Sequence, residues 1–421
     1  MRPRPHRLPD EILARLAAGG GGAEAARHLV AAERSKHRLL VLGVVRLAGS
    51  HPAVGHAYDL LAWIEKKAPE AVETVLGHPA VGAWAAHVIR SRGTATQLGA
   101  LAAAAAILAR LPARVEAPAP DGRITLPSLG QIVTADPADL VDLRVHPDGT
   151  LEAGGCRVRA AERTAGRRAE EREEPGWLPL RRITADGFSL CVDDLDPFRW
   201  SPDEAPDGRL PPAELDVWRE HLRISWQVMK ARHWTLAGET ASIVSVLTPI
   251  TGPAYRMNSA TARDRFGAIG ISTPRDWRWM ASTFAHEGQH AKLGAVLDTV
   301  ELLEPDDGRY YAPWRPDPRP LAGLLQGTYA HLGVAGFWRR QRADETGPQP
   351  HVEFAHWRQA AFEATGTLLD SGRLTPPGER FVTAMRGTLA DWMAESVPPA
   401  ALDAAGREAA AHREAWLARN G

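Results

Sequence analysis

The sequence predicts an α+β, mainly helical protein. An N-terminal helical layer and a β-rich middle segment precede a C-terminal helical metal-binding domain with a zincin-like motif helix. Three observations lead there. Apolar residues recur at helical spacing over residues 8–115. Apolar and polar residues then alternate between turn signals such as "PDG" and "ADG" up to Trp200. Beyond residue 212 long amphipathic stretches return, and one of them carries "HEGQH".

Taken in order, "LPDEILARLAAG" is a first helix, broken at Gly19 to Gly22. "AAERSKHRLLVLGVVRLAG" and "AYDLLAWIEKKAPEAVETVLG" each close on a glycine after the last apolar turn. "QLGALAAAAAILARL" is an Ala-rich helix expected to be buried. These make a helical domain over 1–118, a layer with no chemistry of its own. Residues 119–200 form the β-rich segment; its charged run 162–174, "ERTAGRRAEEREE", is expected to be a solvated connector. "SPDEAPDGRLPP", 201–212, is a Pro-rich linker, and 213–421 is the catalytic domain. There "AELDVWREHLRISWQVMKAR" is a long helix, and "SIVSVLTPI" and "FGAIGIS" are short strands. Thr273 followed by Pro274, with Asp276 in the first turn, predicts a helix from there to about Leu303. "FGAIGIS" is a candidate edge strand for an extended peptide. Asn258, Ser259 and Thr261 before it are expected to be turn formers.

Composition narrows the function. A net charge of −1 in 421 residues gives no global field for nucleic acid or an anionic membrane surface. Two cysteines, Cys156 and Cys191, make neither a disulfide framework nor a Cys-rich metal module. The start "MRPRPHRLPDEILARL" has no apolar stretch behind its basic residues, so no signal peptide and a cytoplasmic location are expected. No apolar run is long enough for a membrane span.

The chemistry lies in "STFAHEGQHAKLGAVLD", 282–298. His286 and His290, four apart, leave one helix face a turn from each other, and their nitrogens can meet one ion at about 2.0–2.2 Å. Glu287 projects beside them, towards a metal-bound water. A third ligand is needed. The metzincin continuation fails, because Leu293 and Val296 stand where glycine and histidine belong. The gluzincin continuation needs a downstream glutamate, yet "PLAGLLQGTYAHLGVAGFWRRQ", 320–341, holds no acidic residue. It does hold His331, the favoured third ligand, with His356, Glu353, Glu363 and Asp298 as rivals. Between the two helices, "YYAPWRPDPRPLAG" carries prolines 313, 316, 318 and 320, which stiffen the backbone around Arg315 and Arg319. An arginine fork grips a carboxylate; the partner is either an acidic small molecule beside the metal or Asp317 or Asp306, tying the loop down.

"HEGQHAKLGAVLD" followed by "YAPWRPDPRPLAGLLQGTYAHLGVAGFW" resembles the actinobacterial HExxH-type, 2-oxoglutarate-dependent peptide β-hydroxylases of ribosomal peptide pathways. "LARLAAGGGGAEAARHLVAAERSKHRLLVLGVV" and "RDRFGAIGISTPRDWRWMASTFAHE" are similar to that family as well. The resemblance implies an Fe(II) dioxygenase whose iron is held by His286, His290 and His331. It further implies that Arg315 or Arg319 grips 2-oxoglutarate, that O2 is co-substrate, and that a side-chain β-carbon of a ribosomally made precursor peptide is hydroxylated. Glu287 would orient the site, bind the ion or control water. Two other readings stand. A zinc metalloendopeptidase would use Glu287 as general base on a precursor peptide. A non-catalytic partner would bind such a peptide through some of the 14 tryptophans.

Overall fold

A computed structural model describes residues 6–91, 93–159, 173–252 and 258–420. Among them are thirteen α-helices and twelve strands, a mixed α+β and mainly helical architecture. In chain order the first helices are α1 (Asp10–Ala17), α2 (Gly22–Ala48), α3 (Pro52–Lys67), α4 (Pro69–Leu76), α5 (Pro79–Ser91) and α6 (Leu98–Ala109). Strands follow: β1 (Ala113–Ala119), β2 (Arg123–Leu126), β3 (Gly130–Val133), β4 (Ala138–Val145), β5 (Thr150–Ala153), β6 (Cys156–Arg159), β7 (Trp177–Pro179), β8 (Arg181–Ala185) and β9 (Phe188–Val192). Then come α7 (Pro212–Arg232), α8 (Trp234–Ile243), β10 (Val246–Pro249), β11 (Ser259–Ala260), β12 (Ala268–Ile271) and α9 (Trp277–Leu297). The chain closes with α10 (Leu321–Gln341), α11 (Gln349–Asp370), α12 (Pro376–Met393) and α13 (Pro399–Asn420).

The chain divides into two compact units whose limits differ from the linear segments 1–118, 119–200, 201–212 and 213–421. One comprises 1–32, 220–243 and 274–421; the other 33–219 and 244–273. In the second unit α6 explains the grouping. Alanine is the best helix former, Ala100 and Ala102 to Ala106 are fully buried, and the helix packs on β1, β2 and β4. The N-terminal helices therefore share a core with the strands, including Trp84, Leu101, Leu126, Leu143 and Trp177. The strands form sheets ordered β1-β4-β5-β6 and β2-β3-β7, while β8 and β9 join a third, β11-β12-β10-β9-β8. The connector 162–174 falls almost entirely outside the described residues.

Two expectations change here. β12 is not an edge: it pairs in parallel with β10 on one side and antiparallel with β11 on the other, and all four residues are buried. Its backbone groups are already used, so it offers no ladder to a peptide. Asn258 and Ser259 act as local structure, Asn258 exchanging bonds with Ser272 and Ser259 pairing with Ile271. The motif helix also begins later and ends earlier than expected. Asp276, not Thr273, caps α9, accepting from Trp279 N at 2.9 Å, while the Thr273 hydroxyl donates to Glu214. α9 stops at Leu297; beyond it the Val296 carbonyl accepts from Thr299 N at 2.9 Å, Val300 N at 2.8 Å and the Thr299 hydroxyl at 2.9 Å, and Leu303 enters a bridge with Leu374.

In the first unit α10 lies against α9 and α11. A Cβ on Gly333 would come within 2.6 Å of the Ala285 carbonyl, so only glycine permits the α9–α10 approach. Away from the histidines, α9 buries Lys292, whose ammonium meets Glu239 of α8 at 2.7 Å and the Gly19 and Gly20 carbonyls at 3.3 and 3.4 Å. Gly22 N donates to the other Glu239 oxygen at 2.9 Å, and Gln289 donates to Gly19 at 3.1 Å. Replacing Lys292 strands a buried carboxylate. Lys292→Met is expected to lower unfolding free energy by about 3–5 kcal/mol, and adding Glu239→Leu to recover most of it, measured by urea titration.

Candidate metal centre

The capped start and unbroken turns of α9 put His286 and His290 on one face. Their Nε2 atoms stand 3.2 Å apart, the rings 4.8 Å between centroids and steeply inclined at 76°. His290 Nδ1 lies 3.0 Å from Gln326 Oε1 of α10, an acceptor, so that nitrogen carries the proton and the Nε2 lone pair faces its neighbour. Two imidazole nitrogens bound at about 2.05 Å to one ion are separated by about 2.9 Å at right angles and about 3.4 Å at the tetrahedral angle. The observed separation lies between these values, so the pair fits a first-row divalent ion without rearrangement. His286 keeps 27% of its side chain open to solvent, which leaves room for exchangeable ligands. The protein packed around it, with His331 and His290 adding to the effect, holds its pKa well below the ordinary histidine value.

His331 sits beside the pair. Its ring meets that of His286 edge to face, centroids 5.1 Å apart, and is stacked between Trp314 and Trp357, each at 4.4 Å. Nδ1 donates to the Gly327 carbonyl at 2.8 Å, which leaves Nε2 as the remaining nitrogen. Burial pushes its pKa down to about 3, although the Gly327 bond works the other way. The three imidazoles do not close into a compact triad. Among the described residues, the trio whose ligand atoms all lie within 4.8 Å of one another is His78, Asp193 and Asp196. Gly327 matters through its missing side chain as well. A Cβ there would come within 2.4 Å of the Trp314 indole, so the ring lies flat on His331 only because the residue is glycine.

The rival ligands have other employment. Glu353 accepts from Trp357 Nε1 at 2.8 Å and so steadies one wall of the His331 slot. His356 meets the edge of Trp357 and faces Glu408, Glu363 accepts from Gln359, and Asp298 is the C-cap of α9. Glu287 is buried, its Oε1 4.0 Å from His286 Nε2. Arg315 and Arg319 both hold Asp317, at 3.1 Å each, the tie-down arrangement of the arginine-proline segment, and Arg319 foremost keeps that carboxyl below its usual range. Both arginines remain partly exposed.

Gln326, Gly327, Trp314 and Trp357 are contributors that motif reasoning passed over. A lone glutamine among apolar residues in "LLQGTYAHLG" was the one signal for the first; it lies about 140° round the helix from His331, so no helical spacing tied it to the site. Compared with known families and curated proteins, the chain matches no family model and no curated sequence.

Two outcomes are expected. Gln326→Leu should weaken binding of a divalent ion about 10–100-fold by freeing the His290 ring, read by competition with a coloured chelator. In chelator-treated protein His331 is neutral when folded, with a pKa of about 3, and titrates near 6.5 when unfolded. Between those values only the unfolded chain takes the proton, so this contribution is complete above about pH 6.5 and lost as pH falls towards 3. His331→Gln should flatten the dependence by up to about 1.4 kcal/mol per pH unit in urea unfolding between pH 5 and 6.5.

Proposed function

We propose that this chain is an Fe(II)- and 2-oxoglutarate-dependent oxygenase that hydroxylates a side-chain β-carbon of a ribosomally made precursor peptide, with O2 as co-substrate. The observation that carries the metal part of this reading is the 3.2 Å approach of the His286 and His290 Nε2 atoms on a solvent-reaching face. His286 and His290 would hold the iron, with His331 as third ligand. Bound there, iron with 2-oxoglutarate and O2 supplies an oxidant strong enough to break an unactivated C–H bond.

The chain's own residues then divide the remaining work. Gln326 and the Gly327 carbonyl fix which nitrogen of His290 and His331 bears the proton. Trp314 and Trp357 exclude water from His331. Arg315 or Arg319 would grip the distal carboxylate of 2-oxoglutarate, exchanging Asp317 for the cosubstrate, since a guanidinium accepts either carboxylate. The resemblance of the motif and arginine-proline stretches to peptide β-hydroxylases supplies the substrate class. A helix-borne pair with no acidic residue on α10 supports this reading over a gluzincin site.

One observation favours a zinc peptidase instead: Glu287 lies beside the ion position, where a general base belongs. Imidazole ligands suit either metal. Anaerobic reconstitution with Fe(II), followed by 2-oxoglutarate, O2 and a peptide encoded beside the gene, separates the two. Succinate and a peptide heavier by one oxygen are expected together, both lost in His286→Ala and in His290→Ala. Arg315→Leu or Arg319→Leu should raise the KM for 2-oxoglutarate at least tenfold. Cleavage of the peptide with Zn(II) in the absence of O2, abolished by Glu287→Gln, would replace this reading with the peptidase.

A further inference from the structure

A second polar cluster lies in the other unit. His78 occupies the turn between α4 and α5 and is 4% exposed, yet neither ring nitrogen has a hydrogen-bond partner. A buried imidazole with both nitrogens idle is unusual, because each forfeits its bond to water. It faces the segment after β9, where Asp193 and Asp196 are 1% and 5% exposed. Asp193 Oδ1 accepts from Leu195 N at 3.1 Å and Asp196 N at 2.9 Å, and Asp196 Oδ1 accepts from Phe198 N at 2.8 Å. Each aspartate thus commits one oxygen to its own turn. Asp193 Oδ2 lies 3.9 Å from His78 Nε2, and one ligand atom from each of the three residues falls within a 4.8 Å group.

The charge balance around them is uneven. Asp194, between the two, is met by Arg181 and Arg209 and by Leu210 N at 2.9 Å. Among the described residues no lysine or arginine forms an ion pair with Asp193 or Asp196. Arg199 and Arg265 act on Asp196 only from a distance, their guanidiniums donating to the Asp196 and Phe198 carbonyls, and Arg182 likewise acts on His78. Two buried carboxylates side by side without a cation repel, and burial together with Asp193 raises the Asp196 pKa to about 7.

We propose that His78, Asp193 and Asp196 form a second, structural metal site that takes a divalent first-row transition ion of the zinc class. One imidazole nitrogen and two carboxylate oxygens are a donor set for such an ion. The space they line, shared with Thr125, Leu126 and Leu195, has no room for a free water molecule, so an ion there binds stripped of its hydration. That disfavours Mg2+, which retains waters, and suits zinc. Binding at about 2.0–2.2 Å draws His78 and Asp193 closer than their present separation by several tenths of an ångström. The ion neutralises the carboxylates, engages the idle imidazole and pins the α4–α5 turn to the end of β9.

The test uses the full chain with His286→Ala and His290→Ala, which removes the first centre. Loaded with Zn(II) and desalted, it is expected to retain one equivalent by elemental analysis, and none once Asp193→Asn and Asp196→Asn are added. A thermal scan guards against misfolding. Zn(II) should raise the Tm of the His286→Ala, His290→Ala chain and leave that of the Asp-substituted chain unchanged. With chelator the order reverses, because the asparagines relieve the carboxylate repulsion. Retention of no zinc by the first chain, or of the same equivalent after both asparagines are introduced, overturns the proposal. Neither result bears on the oxygenase, whose His286 and His290 ligands are absent throughout.

Discussion

The helix that carries both motif histidines is held from behind by a buried ammonium and carboxylate. Lys292 and Glu239 are almost wholly out of water, and each has its remaining hydrogen-bonding capacity answered by the backbone of the 19–22 turn. An ion pair in such a place stabilises less by its own attraction than by the penalty for breaking it. That penalty fixes one face of α9 against α8 and the N-terminal turn. The opposite face can then present two imidazoles in a set orientation. Gly333 completes the constraint, since the carbonyl of Ala285 occupies the place its side chain would take.

From that rigidity follows the chemistry of the exposed face. A metal site needs lone pairs aimed at one point before the ion arrives, because reorienting rings would weaken binding. Gln326 and Gly327, on the neighbouring helix, aim His290 and His331 by taking the proton of the other nitrogen. The indoles of Trp314 and Trp357 hold His331 flat and keep it neutral. The arginine-proline segment that delivers Trp314 also carries Arg315 and Arg319, so the wall of the His331 slot and the candidate carboxylate grip belong to one stiff stretch of chain.

The two polar clusters differ in how readable they were. His286 and His290 were visible as candidates because their partnership is local: a helical repeat alone puts residues four apart on one side. The choice of His331 rested on the absence of acidic residues from 320–341. The fold brings it into ring contact with His286 without closing a compact triad. His78, Asp193 and Asp196 carried no such signal, since "GHPA" and "VDDLDPF" look like ordinary turns and are joined only by folding. Thr273 misled because a threonine before a proline is a good cap in isolation, whereas its hydroxyl finds Glu214 and leaves the cap to Asp276.

Alternation of polarity, helical spacing and turn residues determined the class of the protein and the location of its motif helix, because these depend on neighbours a few positions away. Whether "FGAIGIS" is an edge or an interior strand depends on β10 and β11, which flank it from elsewhere in the chain. The same holds for the slot that Trp314 and Trp357 build around His331 and for the grouping of residues 1–32 with 274–421. Those outcomes belong to tertiary structure, since hydrogen bonds, charge pairs and close packing between distant segments are decided only when the segments meet.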